Sequence, residues 1–141
     1  DRIPPNVTWI DTSKDPPDQA IDYPTLREWY AQCTAICIPL SGCSEDTCGY
    51  TNMLEGMAMR KPVLMTRSGC LHINPESGRF GKLIASQDSL GWTDAMNYIL
   101  KHKELARIFG EEGRRTVENG FTIERFNRDV LSFLKEVLKA T

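Results

Sequence analysis

The chain has 141 residues, 40% of them hydrophobic and 26% charged, and 17 Lys plus Arg against 19 Asp plus Glu give a formal net charge of −2. That length fits one domain with a hydrophobic core, and the composition is that of an ordinary globular protein. The slightly negative balance argues against nucleic-acid binding driven by bulk charge, so no nucleic-acid partner is expected.

"NVTWI" (6–10) alternates and is β-rich, which predicts a short strand. A polar, Pro-rich loop follows. "DYPTLREWYAQC" has Asp22 near a helix start and Pro24 in the first turn, and Leu26, Trp29, Tyr30 and Cys33 share one helical face. "AICIPL" (35–40) is a continuous apolar run and reads as a strand buried on both faces. The loop "SGCSEDTCGY" leads into a helix over roughly 51–60. "PVLMT" (62–66) predicts a second buried strand, "RSGCLHINPESGRF" a long loop with at most one helical turn, and "GKLIA" (81–85) a short strand. Three helices close the chain. The first carries Trp92, Ala95, Met96, Ile99 and Leu100 on one face, and the second ends near Gly120. The third is capped by Thr122, with Phe126, Val130, Phe133, Leu134 and Val137 as its buried stripe. Apolar strands alternating with helices predict α/β architecture, a parallel sheet in a doubly wound layer.

No apolar run is long enough to cross a bilayer, and no secretory leader is recognisable. The five cysteines, Cys33, Cys37, Cys43, Cys48 and Cys70, lack paired CxxC spacing. They read as reduced, mostly buried thiols of a cytoplasmic protein, with a Cys43–Cys48 loop disulfide or a reactive thiol as the lesser alternative. No metal and no cofactor are expected. The chain starts at Asp1 as if cut from something longer, so residues 1–141 read as a single truncated domain.

In an open parallel sheet, ligands bind outside the carboxyl ends of the strands. Loop 41–50 leaves such an end and enters a helix N-terminus, where free N–H groups and the dipole accept a phosphate. Gly49 lets backbone approach a ligand, Thr51 can cap the helix, and Asn52 can hydrogen-bond at the rim. Glu55, read as a first-turn acid, gains about 0.3–1 kcal/mol from the dipole, which explains it without any ligand. The functional reading is that its carboxylate accepts two hydrogen bonds from a vicinal diol such as a ribose.

"GYTNMLEGMAMRKPVLM" resembles the glutamate-centred motif of the retaining family 4 glycosyltransferases, which have the GT-B fold. "DYPTLREWYAQCTAICIPL", "GKLIASQDS" and "ELARIFGEEGRRTVENGFTIERF" are similar to the segments that flank it, in the same order, from about Asn6 onward. The resemblance implies a Rossmann-like C-terminal domain that binds a UDP- or GDP-linked sugar. Glu55 would hold the ribose hydroxyls, and backbone around Gly49, Tyr50, Thr51 and Asn52 would meet the phosphates or the donor sugar. It also implies an N-terminal acceptor domain outside this chain, and it admits an acceptor at a membrane surface.

Three departures stand out. Thr47 occupies the place of the family's usual first glutamate, with Glu45 and Asp46 beside it. The glycine of the "GKPV" motif is Arg60 here, expected to face solvent. The earlier β-α units, whose Arg and Lys neutralise the departing diphosphate, are not in the chain, so the isolated piece is expected to be inactive.

Other candidates carry less. His72 and His102 read as surface or loop residues, Arg67 and Ser68 as the rim after strand 62–66, and Lys61 as a helix C-terminal charge. "EEGRRTVEN" reads as a solvated helix face, and Met53, Met57 and Met59 as core packing. Two other functions stay open: a nucleotide-sugar epimerase of the same fold and a non-catalytic nucleotide-binding module.

Overall fold

Three short apolar runs pair side by side as parallel strands: β1 (Ile36–Ile38), β2 (Val63–Thr66) and β3 (Gly81–Ile84), in the order β1-β2-β3. The computed structural model describes residues 4–8, 10, 21–41, 48–69 and 72–139. Its helices are α1 (Tyr23–Gln32), α2 (Tyr50–Ala58), α3 (Ser89–Lys101), α4 (Lys103–Gly120) and α5 (Ile123–Lys139).

β2 lies in the middle of the sheet, and all four of its residues are buried. Strand alternation sends its side chains to opposite faces. Val63 and Met65 join Ile38, Phe80 and the α2 residues Met53 and Met57 in one core. Leu64 joins Ile84, Ala95 and Ile99 of α3, and Ala106 of α4, in the other. Helices thus cover both faces, the arrangement expected for apolar parallel strands. Met53, Met57, Leu64 and Phe80 are fully buried, each stabilising the fold by about 1.5–3 kcal/mol.

β1 departs from the expectation of a strand buried on both faces. Ile38 is buried, but Cys37 is exposed. Cys37 is in register with Leu64, so it faces the α3 side, and β1 is an edge of the sheet among the described residues. Cys33 is half-buried and Cys48 is exposed, so the expectation of mostly buried thiols does not hold for these three cysteines. Cys43 and Cys70 lie outside the described residues. Of the strand expected over 6–10, Trp9 lies outside the described residues, and the other four are not in a strand; Val7 N–H instead closes a turn on the Pro4 carbonyl.

The connections are fixed by local chemistry. Asp22 caps α1 by accepting from Thr25 N–H at 2.9 Å, with Pro24 in the first turn. In the long loop after β2, Asn74 Oδ1 accepts from the N–H groups of Glu76 and Ser77, and Pro75 is fully buried beneath that turn. Asp88 caps α3 through Gly91 N–H at 2.8 Å. Thr122 accepts from Arg125 N–H at 3.2 Å at the start of α5, as expected.

Two basic side chains brace helix ends other than their own. Lys61 donates to the carbonyls of Ala31 (2.8 Å) and Cys33 (2.9 Å), so the helix C-terminal charge read from the sequence serves α1. Arg114, from the stretch read as solvated, donates to the Ala58 carbonyl at the end of α2 at 2.8 Å and also pairs with Glu118.

The stripe on α5 is a clear correction. Phe126, Val130, Phe133, Leu134 and Val137 do align, but the helix has no buried residue; Phe126 and Phe133 are 62% and 65% exposed. The pattern marks an apolar face correctly, and no described element covers that face.

Candidate functional site

The chain turns from β1 into α2 at the carboxyl ends of β1 and β2. Leu40 N–H donates to Thr66 Oγ1 at 2.9 Å, tying the two ends together, and Thr66 is only 2% exposed. Gly49, the N-cap of α2, sits over the same place. A Cβ on it would lie 2.5 Å from Ile38 Cγ2 and 3.3 Å from Met65 Cε, and its φ is +79°. Packing and backbone conformation therefore both call for glycine, whatever binds nearby. Residues 42–47, with Glu45, Asp46 and Thr47, lie outside the described residues.

The helix opens one residue earlier than the sequence implied, with Tyr50 as its first residue. Thr51 is therefore inside the helix and exposed, and among the described residues no side chain caps α2. The first amide to bond back is Met53 N–H, to the Gly49 carbonyl at 2.9 Å. The amides of Tyr50, Thr51 and Asn52 thus stand before the hydrogen-bond ladder, at the positive end of the dipole. Tyr50 is half-buried against the α2-side core, and burial pushes its phenol pKa above the ordinary value.

Glu55 is the sixth residue of α2, and the first turn contains no acid. Its Cα lies about 7.5 Å along the axis from that of Tyr50. The dipole effect fades within the first turn, so it does not account for this acid as the first-turn reading supposed. Glu55 is half-buried and points out of the core, toward α1. There Tyr30 Oη donates to its Oε2 at 2.9 Å. Burial, first, raises the Tyr30 pKa; the Asn52 side chain works against that, and the Glu55 charge adds to it. A phenol kept protonated beside a carboxylate is a stable donor–acceptor pair.

Tyr30 and Asn52 also line an open cleft of about 460 Å³ between α1 and β1, with Trp29, Leu26 and Pro39 among its other walls. The structure thus brings Tyr50, Thr51, Asn52 and Glu55 onto one helix, with Gly49 as its cap. Sequence reading missed Tyr30. Its pairing with Glu55 spans 25 residues and leaves no short-range signal.

The remaining candidates lie to the side. Arg67 directly follows β2 and pairs with Glu76 at 3.5 Å, an exposed contact worth about 0–1 kcal/mol. His72 is exposed. His102 joins α3 to α4, with its ring 4.6 Å from that of Tyr98. No helix among the described residues is long and apolar enough to cross a membrane.

No protein-family model matches the chain, and no curated protein does. Among solved structures, it is similar to the sucrose-phosphate synthase from Thermosynechococcus elongatus, with a TM-score of 0.73 and 24% sequence identity. The match covers 86% of this chain and 29% of that one, so the chain spans less than a third of that protein's length. Together with the parallel order β1-β2-β3 and helices on both faces, the likeness establishes the fold as a Rossmann-like α/β layer of the GT-B kind.

Proposed function

We propose that the chain is the donor-binding part of a retaining glycosyltransferase, the C-terminal half of a GT-B enzyme. The parent would transfer a sugar from a UDP- or GDP-linked donor to an acceptor held by a separate N-terminal domain. The observation that carries this reading is the pairing, on one helix, of an outward carboxylate at Glu55 with the leading amides of Tyr50, Thr51 and Asn52 at the carboxyl ends of β1 and β2. A nucleoside diphosphate presents ribose hydroxyls and phosphates at a comparable separation. The diphosphate would rest on the helix start, and the ribose on Glu55. The motif resemblance and the fold likeness support the same reading.

Transfer requires the departing diphosphate to be stabilised. A helix N-terminus supplies roughly half a positive charge, and Arg67, the first residue after β2, is engaged with Glu76. The chain by itself is therefore expected to bind donor weakly without turnover. Calorimetric titration with UDP, GDP and a hexose linked to each is the test. At least one should bind, and Glu55→Ala should weaken it about tenfold or more. Absence of binding by all four, or an unchanged affinity in Glu55→Ala, rejects the reading.

A further inference from the structure

We propose that Tyr30 is a positioning residue for the ribose grip: its hydroxyl, bonded to Glu55 Oε2, holds the carboxylate in the one orientation that offers its remaining lone pairs to a diol. The inference rests on the donor-site reading above and goes beyond it. It adds a residue on another helix and makes ribose recognition depend on α1.

The geometry carries it in three steps. Glu55 is a long side chain on the outer side of α2, half-buried, and without such a contact it would sample several rotamers. The Tyr30 hydroxyl meets it at 2.9 Å from a ring that is itself partly buried. A rigid phenol with two torsions fixes its partner at small entropic cost. Second, a carboxylate offers about four acceptor sites. Tyr30 takes one, which leaves enough for both hydroxyls of a vicinal diol, so the phenol orients the acid without competing for it. Third, α1 is itself anchored: Lys61, at the far end of α2, donates to the Ala31 and Cys33 carbonyls. α1 has no buried residue, so these two bonds, together with the Tyr30–Glu55 hydrogen bond, are what tie it to α2.

The distinguishing experiment compares UDP with 2′-deoxy-UDP, and GDP with 2′-deoxy-GDP, on the full chain and on Tyr30→Phe, Glu55→Ala and the double variant. Tyr30→Phe keeps the ring and removes the donor. Wild type should prefer the ribose form. Glu55→Ala should abolish that preference. Tyr30→Phe should cut it about tenfold by weakening the ribose form alone, and the double variant should resemble Glu55→Ala. A thermal melt establishes that each variant is folded. An undiminished ribose preference in Tyr30→Phe, or an equal loss for both forms, overturns the inference and leaves the Glu55 assignment standing. Wild type without ribose preference, or Glu55→Ala that keeps it, overturns the donor-site reading and this inference together.

Discussion

Gly110 of α4 lies directly against the backbone of Arg60, so close that a Cβ on the glycine would collide with the Arg60 carbonyl oxygen. The helix that braces α2 can approach the α2–β2 turn only because this position has no side chain. The obstacle is main chain and cannot rotate away. Gly110→Ala should cost about 1–3 kcal/mol by overpacking. Gly120, the last residue of α4, has nothing within 4 Å of its would-be Cβ. Gly120→Ala should leave stability unchanged or raise it by up to about 1 kcal/mol. Urea denaturation of the pair measures both; equal losses at the two sites would contradict the close-packing account.

Arg60 carries a second consequence. Its φ is +55°, and the bonds Lys61 N–H to Gly56 O and Arg60 N–H to Met57 O close α2 in a Schellman turn. This is the position where the resembled motif has glycine. Arg60 faces solvent as expected and pairs with Glu111 at 3.4 Å, yet the left-handed backbone costs it about 1–2 kcal/mol. Arg60→Gly removes that strain, while added freedom in the unfolded chain offsets about 0.4–1 kcal/mol of the gain. The Gly variant should remain within about 1 kcal/mol of wild type. Arg60→Val, β-branched in the same conformation, should be clearly less stable. Guanidinium unfolding midpoints order the three; a Val variant as stable as Arg would refute the assignment.

Asp22 should give α1 an acid-sensitive start. Its pKa is lowered below 3.8 by hydrogen bonding from Thr25, through the side chain first and then the backbone N–H. A carboxylate with a depressed folded pKa adds stability above its unfolded value, and that contribution is lost as pH falls through the folded value. The loss therefore lies at and below pH 3.8. Asp22→Asn caps comparably and does not titrate. Hydrogen exchange in residues 23–32, followed on lowering pH from about 5 to 2.5, should show a drop in protection for wild type that is smaller in the Asn variant. Identical profiles would exclude the cap as the cause.

Much of the fold was legible because burial writes itself into short apolar runs. "PVLMT" became β2 because a central parallel strand has two dry faces. The same pattern misled at "AICIPL", since composition records that a strand is apolar and not whether a helix covers Cys37. It misled again in α5, where periodicity identified the face and could not supply its partner. At the candidate site, the helix and its residues were legible, but its phase was not. A left-handed Gly49 starts the helix at Tyr50, and Glu55, read as a first-turn acid, lies in its second turn. Periodicity places Tyr30 on an apolar face with Leu26, and only the three-dimensional course of the chain brings its hydroxyl to Glu55, 25 residues away.

The uncovered face of α5 has a practical outcome for anyone handling the isolated chain. Ile123, Phe126, Leu131 and Phe133 are each more than half exposed along one helix that also bears several charges. An exposed apolar face of this kind is expected to bind phenyl matrices and to self-associate on concentration. Sedimentation coefficients should climb with loading, and dilute samples with mild surfactant will keep it monodisperse.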